Sequence, residues 1–502
     1  MLIGVLALAT ALRFWALGQR EVWYDEAFSV LYAEKGLSDI LYGTISQVEG
    51  AAADVHPPLY YFLLHAWMVL GESPFVARAL SAFLGITTVA VSYALGEELF
   101  DRRAGLMGAF VVAISPFHVY YSQEARMYSL LAFLLVLGTY FFVRAVRTPR
   151  FRHWLGFSVC FALAQYTHNV AVFWLLALDA YALLAHFRGL RLLKQVALAN
   201  AGVAMLYAPW LLVLPGQISK MEQAYWIPVP GLVELVRLII AVTLNLPAPP
   251  VLLPLWVFFA FSLLALVTRF TIARLKRDVY AQGGLVLLLF VLVLPVAVTF
   301  LVSQVRPVFI ERIFVASQVA YCLLIGWAVS RARLSGGTLL WAAPALAIVG
   351  LSLQYQYTYD QFPRPPYHSA VKYLRANYDA SSVIIHSSKL SFFPSYYWDR
   401  SLPQHFLPDV PGSPQDTLAR PTMQVLNIFP DELEELAKGR ETVYFVVFRK
   451  ALDEAQGLGK PLPDLAWLED RFEPRDVVSF NDLYVYVLDR KDSGEIASRR
   501  VR

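Results

Sequence analysis

The sequence predicts an α-helical polytopic membrane protein that carries a small extracytoplasmic α/β domain at its C-terminal end. Three observations support this fold class. The 502 residues are 58% hydrophobic and only 16% charged, whereas soluble domains are about half apolar and a quarter charged. Long apolar runs recur through the first 357 residues, with a mean hydropathy of +0.51 for the whole chain. From about Thr358 onward the composition becomes charged and rich in proline.

Eleven apolar runs of about 20 residues are predicted to cross the membrane. They begin near Leu2, Pro74, Ala104, Arg126, His153, Val170, Leu192, Pro250, Ala281, Ile310 and Gly337. Met1–Leu17 has the length of a signal peptide but lacks a basic start, so it is interpreted as the first transmembrane helix. Pro57–Leu70 is short and Leu232–Leu246 contains two charges, and both are interpreted as re-entrant or interfacial helices. Thirteen crossings is the alternative.

Basic residues between the predicted helices decide between these two counts. With eleven crossings, five basic clusters all fall on the cytoplasmic side, as the positive-inside rule requires, whereas thirteen crossings would move three of them outside. An odd number of crossings places the C-terminal region opposite the N-terminus, on the outer face. The clusters are Arg102 and Arg103; Arg144, Arg147, Arg150 and Arg152; Arg188, Arg191 and Lys194; Arg269, Arg274, Lys276 and Arg277; and Arg331 with Arg333.

The sequence divides into a membrane domain, 1–357, and a soluble α/β domain, 358–502. The membrane domain has a net charge of +7 and the tail a net charge of −3, and the total of +4 is too small and scattered to indicate nucleic-acid binding. Short β-rich runs alternate in the tail with helical signals such as Asp431–Lys438. The predicted strands are Ser382–His386, Thr442–Phe448 and Leu483–Leu488.

Two adjacent carboxylates follow the first predicted helix, in a long outer loop that covers residues 18–56. Asp25 and Glu26 are flanked by aromatic residues suited to the membrane interface. Partial desolvation raises a carboxylate pKa, so one of the two is well placed as a general base while its neighbour supports it. The alternative is that they mark the acidic start of a helix.

Further polar residues lie on the same predicted outer face. The candidates for binding are His56, His168, Glu124, Arg126, Tyr128, Arg306, Glu311 and Arg312. Guanidinium groups bind phosphate bidentately, so the arginines suit an anionic lipid headgroup. The alternatives are interfacial or structural histidines, a Glu124–Arg126 ion pair, and arginines that extend towards the membrane surface.

The shared face favours chemistry on a phosphate-bearing lipid. A transporter or lipid flippase is the main alternative, but its ionisable residues are expected near the middle of the membrane on broken helices. A non-catalytic scaffold whose tail recruits envelope proteins is a third hypothesis.

Five motifs together resemble lipid-dependent glycosyltransferases of the GT-C fold, in the group that contains protein O-mannosyltransferases and aminoarabinose transferases. They span most of the membrane domain, while the tail matches only in position and general character. The motifs are Trp23-Tyr24-Asp25-Glu26, Asp54-Val55-His56-Pro57-Pro58-Leu59-Tyr60-Tyr61, Ser122-Gln123-Glu124-Ala125-Arg126-Met127-Tyr128, Tyr166-Thr167-His168 and Pro307-Val308-Phe309-Ile310-Glu311-Arg312.

The resemblance implies an enzyme that moves one sugar from a polyprenyl-phosphate donor to an acceptor hydroxyl at the outer face of the cell membrane, with inversion. It implies that Asp25 is the base, that Glu26 supports it, and that Arg126 and Arg312, together with Arg306, hold the leaving phosphate. Glu124 would orient Arg126 or contact the sugar. His56 and His168 would bind phosphate or, with a carboxylate such as Asp25, a divalent metal ion.

The sequence departs from the related families at three points. His56 stands before Pro-Pro where aminoarabinose transferases typically have lysine. The Trp-Trp-Asp signature of oligosaccharyltransferases is absent, which argues against an oligosaccharide donor and an asparagine acceptor. The chain has no room for the lumenal domain inserted in protein O-mannosyltransferases. The resemblance therefore leaves open whether the acceptor is a lipid, a glycan or a protein, and whether a metal cofactor takes part.

Overall fold

The chain forms two compact units in the computed structural model, which describes residues 1–49, 51–185, 189–223, 226–275, 279–332, 336–413 and 415–491. The first unit comprises Met1–Gly18, Gly36–Tyr357 and Thr417–Thr422. The second comprises Gln19–Lys35, Thr358–Asp416 and Met423–Arg502, so the segment that carries Asp25 and Glu26 belongs with the C-terminal residues. Of the predicted cytoplasmic basic residues, Arg188, Lys276, Arg277 and Arg333 lie outside the described residues.

The membrane part is helical, with one short hairpin of β1 (Gln47–Val48) and β2 (Ala51–Ala52). Short 3-10 helices cover Met68–Leu70, Pro250–Leu252 and Glu311–Phe314. Of the α-helices up to Thr358, α2 belongs to the second unit. They are α1 (Leu2–Phe14), α2 (Tyr24–Ala33), α3 (Leu37–Ile45), α4 (Leu59–Trp67), α5 (Pro74–Leu99), α6 (Arg102–Ile114), α7 (Pro116–Ser122), α8 (Tyr128–Arg147), α9 (Phe151–Thr167), α10 (Ala171–Ala185), α11 (Leu190–Leu211), α12 (Leu214–Gln223), α13 (Leu232–Leu244), α14 (Leu253–Leu275), α15 (Val279–Val302), α16 (Val315–Arg331) and α17 (Gly336–Thr358).

Each of the eleven predicted crossings begins within about three residues of the start of a helix. Five of the described helices are long and apolar enough to span a membrane, and seven spans result if each of two bent pairs counts as one. The bends are 63° between α6 and α7 and 65° between α11 and α12. The two doubtful stretches are also helical, as α4 and α13. The chain is therefore a multi-pass membrane protein, and the number of eleven crossings stays a prediction.

Local sequence signals explain where the central helices begin and how closely they pack. The Ser73 hydroxyl caps α5 before Pro74, and the Asp101 carboxylate accepts a hydrogen bond of 2.8 Å from the Ala104 N–H at the start of α6. Glycines allow α6 and α16 to come into backbone contact, since a Cβ atom on Gly326 would lie 2.2 Å from the Gly108 nitrogen. Larger side chains at these two positions would hold α6 and α16 apart.

The second unit contains a five-stranded sheet flanked by helices. The strand order is β4-β3-β5-β7-β6, with β3 parallel to β4 and β5, and β7 antiparallel to both β5 and β6. Besides α2, its elements are α18 (Tyr367–Asn377), β3 (Ser382–His386), α19 (Lys389–Trp398), β4 (Gln404–Phe406), α20 (Arg420–Leu426), α21 (Leu433–Ala437), β5 (Thr442–Phe448), α22 (Arg449–Gly457), α23 (Pro463–Arg471), β6 (Phe472–Phe480) and β7 (Leu483–Arg490).

Both faces of the sheet are buried at the central strand β3. Ile384 on β3 packs on one face with Leu374 of α18, and its neighbour Ile385 packs on the other face with Leu468 of α23. The three predicted strands and the predicted helix near residues 431–438 are all present. The edge strands β4 and β6 were not predicted: β4 is only three residues long, and β6 is mostly exposed and has a bulge at Pro474.

Candidate active site

A buried arginine holds the bend between α6 and α7, from which the Glu124–Arg126 segment extends. Arg13 of α1 is fully buried and donates hydrogen bonds to the backbone oxygens of Val112 and Ala113, at 3.2 and 3.0 Å. These oxygens lie in the last turn of α6, where helical partners are missing. The Gln123 side-chain amide donates to the backbone oxygen of Arg13 at 3.1 Å. The segment that carries Glu124 and Arg126 is thereby fixed to α1.

Four predicted site residues form a continuous series of ring contacts in the first unit. The rings of His56 and His168 lie 5.4 Å apart, and those of His168 and Tyr128 lie 6.5 Å apart. The Arg312 guanidinium carbon lies 5.4 Å from the centre of the Tyr128 ring and 5.4 Å from that of Trp226, which are cation–π distances. Residues from four separate loops and helix ends therefore meet at one place.

Asp54 anchors the histidine end of this series. Its carboxylate accepts hydrogen bonds from the backbone N–H of His56 at 3.0 Å and from the His56 ring nitrogen Nδ1 at 3.2 Å. Burial alone would raise the pKa of Asp54, but these hydrogen bonds and the nearby charges of His56 and Arg126 outweigh it and hold the pKa below its usual value. Asp54 is therefore ionised at neutral pH.

The electrostatics at His168 differ from those at Asp54. Burial disfavours its charged form, and His56, Arg312 and Arg126 act in the same direction, so the pKa of His168 lies well below its usual value. His168 is thus neutral at neutral pH. Arg126 therefore lies within electrostatic range of both Asp54 and His168, and Arg312 lies within range of His168.

The backbone around Asp54 is held by two amide side chains. The Asn169 side chain donates to the backbone oxygen of Val55 at 3.3 Å and to the Gln217 side-chain oxygen at 3.0 Å. Gln217 of α12 in turn donates to the backbone oxygen of Asp54 at 3.2 Å. The turn that presents His56 is therefore hydrogen-bonded to α12 and to the turn between α9 and α10.

The remaining predicted binding residues differ in burial. Glu124 and Arg126 are buried, in the irregular segment between α7 and α8, and both Glu124 and Glu311 interact electrostatically with Tyr121. Glu311 and Arg306 occupy exposed positions between α15 and α16, and Arg312 is half-buried. The structure thus gathers His56, Tyr128, His168, Arg126 and Arg312 most closely.

The predicted catalytic pair lies at the start of α2 in the second unit. Asp25 is half-buried, whereas Glu26 is fully buried and forms an ion pair of 2.6 Å with Arg364. Consecutive residues of an α-helix point about 100° apart, so the two carboxylates face different surroundings. The roles of all the named site residues remain predictions.

Sequence reasoning missed Asp54, Asn169, Gln217, Trp226 and Arg364 as candidate site residues. Asp54 begins one of the motifs that carry the resemblance and Asn169 directly follows another, so their positions were a usable signal. Gln217, Trp226 and Arg364 gave no signal, because each acquires its contacts from residues far away in the sequence.

A metal ion has no evident cluster of ligands among the described residues. Within the ranges that the structure describes, no three His, Cys, Asp or Glu side chains lie close enough together to hold one. The predicted ligand set of Asp25, His56 and His168 is neither supported nor replaced by another set.

The chain is similar to known glycosyltransferases in sequence and in structure. Residues 55–212 match the family model described as dolichyl-phosphate-mannose-protein mannosyltransferase. The structure resembles that of ArnT from Cupriavidus metallidurans in the apo state, with a TM-score of 0.63, 13% identity and 97% of each chain covered. The same enzyme bound to undecaprenyl phosphate gives a TM-score of 0.61 at 14% identity, again with 97% of each chain covered.

An oligosaccharyltransferase is also similar. The enzyme from Archaeoglobus fulgidus, in complex with zinc and sulfate, gives a TM-score of 0.53 at 15% identity, with 97% of this chain and 72% of the other covered. No curated protein sequence matches this one. These likenesses confirm the predicted fold, and the family model confirms the predicted class of enzyme: the chain is a membrane-embedded glycosyltransferase of the GT-C fold.

Proposed function

We propose that this glycosyltransferase moves a single sugar from a polyprenyl-phosphate donor to an acceptor hydroxyl at the outer face of the cell membrane. The observation that carries the proposal is the cluster of Arg126 and Arg312 with His56 and His168 in the first unit. Positive groups in a partly buried setting suit a lipid phosphate better than a neutral ligand. The related ArnT structure with bound undecaprenyl phosphate supports the same class of donor.

An apolar cavity in the first unit supports a lipid-linked donor. It has a volume of about 480 Å³ and lies between α13, α14, α15 and the start of α16. Phe314, only two residues after Arg312, lines it together with Leu238, Val296 and Tyr321. A cation at the end of a helix that also lines an apolar cavity matches a ligand with a phosphate head and a hydrocarbon chain.

The reaction assigns a separate task to each group. The acceptor oxygen attacks the anomeric carbon opposite the phosphate, the bond from that carbon to the phosphate oxygen breaks, and the anomeric centre inverts. Asp25 takes the proton of the acceptor hydroxyl, with Glu26 supporting it. The departing polyprenyl phosphate gains one negative charge, which Arg126 and Arg312 compensate, together with Arg306.

The other polar residues position these groups. Glu124 orients Arg126 or contacts the sugar. His56 and His168 donate hydrogen bonds to the phosphate, and the neutral state of His168 at neutral pH leaves one ring N–H for this purpose. No step is assigned to a metal ion. The proposal places the second unit on the outer side of the membrane.

Sugar transfer from a radiolabelled polyprenyl-phosphate monosaccharide by the protein in lipid nanodiscs tests this function. The parent protein is expected to release polyprenyl phosphate and to label an acceptor from the envelope fraction, and Asp25→Asn is expected to abolish both. A parent protein that leaves every donor sugar intact contradicts the proposal, and movement of intact donor across the bilayer would favour a flippase instead. Full transfer by folded Asp25→Asn contradicts only the base assignment.

A further inference from the structure

A buried ion pair fixes the helix that carries the proposed base. Arg364 Nη1 lies 2.6 Å from Glu26 Oε2, and both side chains are only 1% exposed. The same Nη1 donates to the backbone oxygen of Glu21 at 2.8 Å. One guanidinium therefore binds on both sides of Asp25 along the chain.

Additional contacts within the second unit hold the same segment. The Arg364 guanidinium carbon lies 5.5 Å from the centre of the Trp23 ring. The Glu21 carboxylate accepts hydrogen bonds from the Trp398 indole at 3.1 Å and from the His368 backbone N–H at 3.3 Å. The start of α2 is thus attached to the C-terminal residues through side chains on both sides of Asp25 in the sequence.

The energetics of buried ion pairs indicate that this contact fixes the position of the helix rather than adding stability. Removing two charges from water costs about as much as their attraction returns, so such a pair adds little net stability compared with apolar residues of the same size. It does demand one arrangement, because any displacement leaves a buried charge uncompensated. Catalysis, in turn, can slow by about a hundredfold when a reacting group is misplaced by about 1 Å.

We propose that Arg364 is a positioning residue, which sets the orientation of Asp25 through its ion pair with Glu26. This inference rests on the proposed role of Asp25 as the base. It gives the C-terminal unit a part in the reaction: the residues after Thr358 hold the helix that carries the base. A second ion pair on α2 serves as a matched control, since Arg400 pairs with Glu34 near the other end of the helix and is 39% exposed.

The test compares four variants of the full-length protein in nanodiscs: Arg364→Gln, Glu26→Gln, the double variant Glu26→Gln/Arg364→Gln, and Arg364→Lys. Initial rates of transfer from a labelled polyprenyl-phosphate sugar give kcat and the donor KM, and thermal unfolding gives stability. Each single Gln variant is expected to lower kcat at least tenfold with donor KM within twofold of the parent. Arg364→Lys is expected to recover part of kcat, and the control Arg400→Gln to match the parent.

The double variant separates positioning from a merely structural role. It leaves no uncompensated buried charge, so its melting temperature is expected to recover while kcat stays low. Recovery of kcat together with stability would overturn the inference, as would a loss confined to donor KM. Where the single variants fail to fold, the kcat of the double variant alone decides between a positioning role and a structural role. Full activity in Asp25→Asn would refute the proposed base, whereas an inactive Asp25→Asn beside a fully active double variant would refute only the positioning role.

Discussion

Replacement of Arg312 by glutamine offers the most direct test of the proposed phosphate site. The change removes the positive charge that lies 5.4 Å from the Tyr128 ring centre and 5.4 Å from the Trp226 ring centre. Glutamine is shorter than arginine and has neither the charge nor the planar fork of five donors. The variant therefore removes both the charge and the ring contacts of the guanidinium.

The expected loss follows from the charge that develops on the leaving phosphate. Removal of one preorganised donor to such a charge typically costs about 3 to 4 kcal/mol, or roughly a hundredfold to a thousandfold in kcat. Arg312→Lys keeps the charge but loses the bidentate geometry and most of the ring contact, for which a loss of about 1.4 kcal/mol, or tenfold, is expected.

The assay measures initial rates of sugar transfer in nanodiscs and inhibition by the product, polyprenyl phosphate. We expect Arg312→Gln to lower kcat and to weaken product inhibition together, because both report on the bound phosphate. Arg274→Gln is the matched control: that guanidinium carbon also lies 5.4 Å from a ring centre, of Phe270, but at a helix end predicted to be cytoplasmic. A folded Arg312→Gln variant with kcat within threefold of the parent would refute the phosphate assignment.

Three further substitutions test other parts of the structure. Asp54→Asn removes the anionic acceptor of the His56 hydrogen bonds, which is worth about 1.5 to 3 kcal/mol. The rate of sugar transfer should therefore fall by about tenfold to a hundredfold. An unchanged rate at neutral pH would contradict the anchoring role. Arg13→Leu leaves buried oxygens in the last turn of α6 without donors. The free energy of unfolding should fall by about 2 to 5 kcal/mol, which would appear as a lower melting temperature in detergent. An unchanged melting temperature would argue against this cap. Burial lowers the pKa of His386 to about 4, despite the opposing effect of the hydrogen bond that its ring nitrogen Nε2 donates to the Gln404 side-chain oxygen. The unfolded state therefore binds the proton first, so stability is complete above about pH 6.5 and decreases by about 3 kcal/mol as the pH falls to 4. Hydrogen exchange in β3 should show this decrease, and His386→Gln should flatten it; an equal pH dependence in the variant would refute the assignment.

The sheet of the second unit could be predicted where burial made its strands apolar. Thr442–Phe448 lies in the middle of the sheet and is almost entirely buried, so it appears in the sequence as an unbroken hydrophobic run. Phe472–Phe480 lies at an edge and exposes most of its residues, so it has no such run. The degree of burial therefore explains both why the central strand could be predicted and why the edge strand could not.

Helix starts were predictable in the membrane part, but the form of the spans was not. Ser73-Pro74 and Asp101 are local capping signals that mark the starts of α5 and α6. The 63° bend at Ser115 depends on Arg13, which lies about a hundred residues earlier and satisfies the oxygens exposed by the bend. Hydropathy records the length of an apolar run, and it does not record such a distant hydrogen bond.

Charged residues in an apolar context identified much of the candidate site, and their burial separates two kinds of arginine. Arg13 is fully buried and directs its N–H groups at backbone oxygens, which is a structural use of the guanidinium. Arg312 lies over aromatic rings, and a cation–π contact uses the face of the guanidinium, so this contact does not itself occupy the N–H groups at its edge. Both arginines look alike in the sequence, beside or within apolar runs, and only the chemistry of their partners distinguishes them.

The division of roles between Asp25 and Glu26 follows from helix geometry together with one distant contact. Once the pair lies on a helix, a rotation of about 100° between neighbours means that both carboxylates cannot face the same surroundings. Which of the two turns inward depends on Arg364, which is 338 residues away in the sequence. Glu26 is the inward carboxylate because it pairs with the Arg364 cation. Burial of an ionised carboxylate without that cation would cost too much free energy. In the proposed mechanism the half-buried Asp25 takes the proton from the substrate, so the proposed base assignment rests on the partner of its neighbour as much as on Asp25 itself.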